Sequence, residues 1–267
     1  MKKIMTRLLS LVLLGAFIPG FVLADSWYLE DGDITVNATE TSQIVSQGGT
    51  SKPDSNPIIS TRAPGSSETG ATSNTVTITA EKNATANVTL DNVNIDVSSN
   101  QEAAITTQGQ GNVTLNLSGD NSVQSGTYHA GVHKENTGNL TVTAPEGGTG
   151  SLNATGGQGG AGIGGGGIDG NGNNITISGG TVDAKGGEYS AGIGGGGNSS
   201  DNNASKITIS GGNVTATGAG SAARIGGGNG GSGTDIEITG GKVKATGGQE
   251  GAGIGGGKYG NGSGITV

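Results

Sequence analysis

From Val88 onward the apolar residues alternate with polar ones in short runs, and the runs recur at a long, steady interval. Ala161-Gly162-Ile163 returns as Ala191-Gly192-Ile193, Ala223-Arg224-Ile225 and Ala252-Gly253-Ile254, with weaker copies at Ala103-Ala104-Ile105 and Ala130-Gly131-Val132. The aliphatic positions 105, 132, 163, 193, 225 and 254 lie 27, 31, 30, 32 and 29 residues apart. Two further blocks keep step. One is Ile175/Ile177, Ile207/Ile209 and Ile236/Ile238, preceded by Val88/Leu90, Val113/Leu115 and Leu140/Val142. The other is Val182/Ala184, Val214/Ala216 and Val243/Ala245, preceded by Ile95/Val97 and Leu152/Ala154. Alternation with a period of two argues strands. Three strands in a unit of about 30 residues, with no helical period, argue one coil of a parallel solenoid. The expected fold is therefore all-β: a parallel β-helix with three short strands per coil of about 30 residues.

Composition at first points elsewhere. Of 267 residues 58 are Gly, and 45 of those fall between Gly147 and Gly264, against an average near 7%. Gly is not at every third position and Pro is rare, which excludes collagen. The absence of Cys excludes a disulfide scaffold. A flexible linker would not hold three aliphatic columns in phase. The glycines are thus expected at corners and at outward positions beside the Ala-x-Ile column. An interior between close sheets also accounts for the 3% aromatic content.

Residues 1–24 read as an export signal. Lys2, Lys3 and Arg7 precede the apolar stretch Leu8 to Leu23, which Ser10, Gly15 and the Pro19-Gly20 pair interrupt, and Val22 to Ala24 supply the small-residue end. A spanning helix needs about 20 uninterrupted apolar residues, and no later segment supplies them. The lack of a following Cys excludes a lipid anchor there. Residues 25–75 are expected to hold a cap strand (Trp27, Tyr28, Ile34, Val36) and, over Ser46 to Asn74, an irregular loop with Pro53, Pro57 and Pro64. Residues 76–267 are expected to be β-helix repeats. They stop on the opening strand of another coil, Ile265 to Val267, without the polar cap a solenoid end needs, so further coils or another chain are expected there.

The repeat, as in Asn174 to Gly187 followed by Ala191 to Gly197, resembles the coils of secreted bacterial right-handed parallel β-helix proteins, a glycine-rich, adhesin-like group similar to a β-helix family described as carbohydrate-binding. The resemblance covers about residues 76–267. It implies a secreted or cell-surface location and polysaccharide or a host or matrix surface as partner. No ligand-binding residue of that family is carried over by it.

Alternation puts one polar face on the first strand of each coil. Its rows read Asn87/Thr89/Asp91, Asn112/Thr114/Asn116, Asn139/Thr141/Thr143, Asn174/Thr176/Ser178, Lys206/Thr208/Ser210 and Asp235/Glu237/Thr239. Asn112, Thr114, Asn139, Thr141, Asn174, Thr176 and Thr208 are the candidate ligand face, with Tyr128 and Tyr189 as candidate stacking rings two coils apart. Such a face suits a repetitive glycan, and it equally suits solvent. The lack of rings within the rows weighs toward solvent. An ice-binding threonine array is interrupted by Lys206, Asp235 and Glu237.

Charge narrows the partners. Removing residues 1–24 takes 13 cations to 10 against 21 acids, a net −11, which excludes nucleic-acid binding through phosphate neutralisation. No metal site or cofactor is expected. His129 and His133, placed on one strand, would stand about 13 Å apart at ~3.3 Å per residue, too far for one ion. Asp169 after Gly164–Gly167 partly matches a calcium-binding nonapeptide, which leaves calcium open; the match does not recur and the sister coils lack the Asp, so calcium is not indicated. That glycine run is no phosphate loop, since it lacks the closing Gly-Lys-Ser/Thr and a helix. Some β-helices are polysaccharide lyases or hydrolases with clustered carboxylates. No such cluster recurs in neighbouring coils, although Asp91, Asp96 and Glu102 are where one would be sought. The sequence thus favours a non-catalytic surface module, with a structural stalk and a lyase- or hydrolase-like enzyme as alternatives.

Overall fold

The computed structural model describes residues 24–62, 65–66, 70–167, 170–197, 202–247 and 249–267. All but the last residue of the expected export signal lies outside these, as do Pro64 and Asp169. The chain is an all-β parallel solenoid of about eight turns, with about 30 residues per turn. Its strands stack into sheets of nine, six and ten strands, here the first, second and third sheet. One coil runs through Asn112–Ser118 in the first sheet, Asp120–Gln124 in the second and Val132–Lys134 in the third. The one helical element among the described residues is a 3-10 turn at Leu29–Asp31.

The aliphatic column of the third sheet stands where the sequence puts it, and it starts two coils earlier. Ile34, Val76, Ile105, Val132, Ile163, Ile193, Ile225 and Ile254 pair in unbroken parallel register. All but Ile254 are buried. Each such side chain contributes roughly 1.5–3 kcal/mol, which offsets the entropy lost in ordering a glycine-rich chain.

The N-terminal coils differ from expectation in register. Val113 pairs with Ala86, Leu115 with Val88 and Leu117 with Leu90, a shift of two residues. The strands Thr85–Asp91 and Asn112–Ser118 are seven residues long and carry three inward residues each. A two-residue Ile-x-Ile pattern has two ways to align with them, and both keep the inward face inward. Ile95 likewise stacks on Val123 and Ala154, not on Leu152.

The partner of Leu152 is Asn121, a polar residue that hides its strand from hydrophobic pattern reading. Asn121 is buried and its amide is fully used. Oδ1 accepts the Val93 N–H at 2.9 Å, and Nδ2 donates to the Ser118 and Ser151 carbonyls at 2.9 Å each. One side chain thus ties three successive coils. Asn121→Ala is expected to cost about 2 kcal/mol by orphaning those backbone groups, read as a lower urea midpoint. A variant as stable as the parent would show that water replaces the amide.

The loop expected over Ser46 to Asn74 contains strands. Gln43–Gln47 runs antiparallel to Ile34–Ala38, and Thr50–Pro53 runs antiparallel to Gln43–Gln47. Gly48 and Gly49, with φ of 55° and 80°, form the two-residue turn between them, as such hairpins require. Ile58–Ser60 joins the first sheet between Ser26–Tyr28 and Thr85–Asp91. Prolines did not prevent this because Pro53 ends the outermost strand, where a missing N–H is tolerated. The cap is pinned through Trp27, whose Nε1 donates to Asp54 Oδ2 at 3.0 Å. Lys52 Nζ lies 4.9 Å from that ring's centre and 2.8 Å from Asp25 Oδ2.

The glycines sit deeper than expected. Gly164, Gly194, Gly226 and Gly255 pair one above another in the third sheet, with φ between 129° and 136°. They are buried, and a Cβ on any of the first three would overlap the carbonyl oxygen of the next. Here backbone packs on backbone. The column begins one coil after His133, which pairs with Gly164.

Candidate functional site

The outer face of the first sheet is built by the alternation that fills the core. Leu140, Ile175 and Ile207 point inward and stack, so the threonine after each points outward and stacks too. The paired column reads Asn87, Thr114, Thr141, Thr176, Thr208 and Glu237. Four consecutive coils therefore present a threonine hydroxyl at one register position, about 4.8 Å apart. The row expected to place Thr89 in this column is corrected by the two-residue shift: Thr89 pairs with Asn116.

Asparagines border the column. Asn112 Oδ1 accepts the Asn139 backbone N–H at 2.9 Å. Asn139 Nδ2 donates to Thr141 Oγ1 at 2.9 Å and to Thr176 Oγ1 at 3.2 Å. Part of the hydrogen-bonding capacity of the face is thus spent within it. Thr114 and Thr208 at its two ends make no intramolecular side-chain bond among the described residues, leaving those hydroxyls to solvent or ligand.

Asn174 departs from the expected strand position. It takes φ 57° and lies just before the strand Ile175–Ile177, with Nδ2 donating to the Thr137 carbonyl at 3.1 Å. Lys206 and Asp235 adopt the same left-handed bend, with φ of 54° and 52°. The pairing between their coils jumps from Ser205–Thr234 to Ile207–Ile236. This is a bulge carried from coil to coil, and short polar side chains or Gly suit it. It turns the Asn174 amide toward the backbone, out of the ladder.

The structure does not bring Tyr128 and Tyr189 to this face. They occupy the corner between the second and third sheets, four residues ahead of Val132 and Ile193, and are equally exposed at 39%. Each is left-handed, with φ of 70° and 66°, and Gly159 holds the same corner in the coil between. The Tyr128 ring covers Gly167, where a Cβ would meet Cδ1 at 2.7 Å. Glu188, bonded to the Tyr189 hydroxyl, pushes that phenol above its ordinary range.

The same corner overturns the histidine expectation. Thr127 and Tyr128 form a turn, so His129 and His133 do not share a strand, and their Nδ1 atoms lie 3.2 Å apart. Behind them is an inward polar cluster that sequence pattern did not reveal. Lys134 follows Val36, Ile78 and Thr107 in an interior column. Its Nζ donates to the Asn136 carbonyl at 2.5 Å, and Thr107 Oγ1 donates to Asn136 Oδ1 at 2.9 Å. Burial pulls the Lys134 amine down to about 8.

The carboxylates named for an enzyme reading are engaged in their own turns. The Ser98 hydroxyl and then its backbone N–H, which Asp96 Oδ1 accepts at 2.9 Å, hold Asp96 below its usual value. Asp91 Oδ1 accepts from Asn92 Nδ2 at 3.0 Å, and Glu102 Oε2 accepts from Asn100 Nδ2 at 3.4 Å. A 290 Å³ cleft at the last coil is apolar, lined by Ile238, Gly241, Val243, Ala245, Ile254 and Val267. No helix among the described residues is long and apolar enough to cross a membrane.

Neither the curated proteins nor the solved structures gave a match. A family model described as a beta helix repeat matches residues 175–197, 207–233 and 236–258. These are three successive coils, in which the Ile-x-Ile, Val-x-Ala and Ile-Gly columns coincide, and over them the chain is built of beta helix repeats.

Proposed function

We propose that the chain is a non-catalytic interaction module, exported to the cell surface or beyond, whose first sheet offers a ladder of hydroxyls to a polysaccharide or matrix surface. The observation that carries this is the column Thr114, Thr141, Thr176 and Thr208, in register over four coils. A ligand with repeated hydroxyls gains by matching a repeated donor–acceptor array, because each added unit binds at the effective concentration set by the last. The residues at 1–24 support export, and the resemblance to adhesin-like β-helices points to the same ligand class.

A glycan array with pull-down on insoluble polysaccharides tests the reading. Retention on at least one polymer is expected, and it should fall about tenfold or more when all four threonines become valine. Valine keeps the strand propensity and removes the hydroxyl. Loss of retention with an unchanged fold supports the ladder. No retention of the parent chain on any polymer sinks the carbohydrate version and leaves the stalk. The stalk reading draws on the bonds among Asn139, Thr141 and Thr176, which a purely structural face would also make. Product release from pectic or related polymers would instead establish an enzyme.

A further inference from the structure

The third-sheet corner carries a second chemistry, independent of the threonine face. His129 is half-buried and His133 is buried, with Nδ1 facing Nδ1 across 3.2 Å. The tautomer of His133 is fixed from two sides. The Ala130 N–H points at Nδ1 from 3.2 Å, so the lone pair is on Nδ1. Nε2 lies 3.4 Å from Glu135 Oε1, an ion-pair distance at which the carboxylate favours the proton on Nε2. This is the carboxylate–histidine arrangement that orients imidazole ligands and raises their basicity.

We propose that His129 and His133 form a two-nitrogen chelate for a borderline divalent cation, Cu²⁺, Ni²⁺ or Zn²⁺, with water completing the coordination. Metal–imidazole bonds of about 2.0–2.1 Å spanning the 3.2 Å separation subtend an angle of about 100°. That angle lies between the tetrahedral value and the cis angle of an octahedron. Nitrogen donors select these metals over Mg²⁺ and Ca²⁺. Without a metal, a proton on His129 Nδ1 bridges the pair; on binding, His129 shifts that proton to Nε2 and the long Ala130 contact gives way. Among the described residues no set of three His, Cys, Asp or Glu side chains converges, which leaves the other positions to water. Gly166 in the neighbouring coil accommodates the His133 ring, since a Cβ there would overlap Cε1.

The test is calorimetric titration of the untagged chain with NiCl₂, ZnCl₂ and CuCl₂ in a non-chelating buffer. One site per chain is expected. His129→Ala, on the exposed side, should abolish it, and Glu135→Gln should weaken it about tenfold while both imidazoles remain. Because His133 is buried and its replacement can disturb the coil, the second readout is the Cu²⁺ electron paramagnetic resonance spectrum of the parent chain. It should carry hyperfine structure from two imidazole nitrogens, a signal lost in His129→Ala. No heat with any of the three ions, or a site indifferent to His129→Ala, overturns the proposal.

Discussion

Gly164→Ala is expected to destabilise the solenoid by about 3–5 kcal/mol. Two costs combine. At φ +136° an L side chain is strained, worth about 1–3 kcal/mol. The new Cβ also overlaps the Gly194 carbonyl oxygen, and overpacking typically costs 1–3 kcal/mol. That oxygen accepts the Gly165 N–H at 2.9 Å, so relieving the overlap breaks a rung of the ladder. Gly230→Ala is the control, since Gly230 has φ +79° and nothing within 4 Å of its Cβ position. It should lose only the conformational share, about 1–2 kcal/mol. Urea unfolding followed by circular dichroism compares the two. Equal losses would mean that the coils separate enough to admit a methyl group.

Lys134→Met should do the opposite and stabilise the chain by about 3 kcal/mol at neutral pH. The amine is buried, and among the described residues no carboxylate pairs with it, so burial lowers it from 10.5 to about 8. Below pH 8 the folded chain bears the full burden of that interior charge. Between about 8 and 10.5 the unfolded chain holds a proton that the folded chain has released, and stability rises with pH across that window. Above it the parent and Lys134→Met should converge. Methionine fills the lysine stem's volume, and the Asn136 carbonyl loses its Nζ donor. Denaturant midpoints at pH 7, 9 and 11 decide the matter. A less stable methionine variant at pH 7 would show that the bond to Asn136 outweighs the cost of burial.

The sequence was most readable where side chains do least. In residues 175–258 the Ile-x-Ile, Val-x-Ala and Ile-Gly runs recur at constant offsets within each coil, so periodicity alone gives the register. It slipped by two at Val88 and Val113 because seven-residue strands offer two equivalent alignments. It lost a strand at Asn121 because a buried amide that satisfies three backbone groups looks polar in a pattern and behaves as core. The threonine column was legible from the Ile-Thr-Ile alternation. The bend at Asn174 left a trace in the Asn, Asp and Gly at positions 174, 235 and 264, with Lys206 the exception. The histidine pair left none: a left-handed tyrosine has no compositional mark, and four residues of strand and four residues of turn read alike.

The antiparallel meander of residues 34–53 closes one end of the stack and so gives it a direction. Thr50–Pro53 is the outer edge of the third sheet at that end, and the last strands of the three sheets form the opposite edge. A chain emerging N-terminus first displays this finished template before its first coil is complete. Each later coil then closes a loop of about 30 residues onto an existing edge. A fault at one coil therefore removes the edge on which the next coil pairs, while the pairings between earlier coils stand.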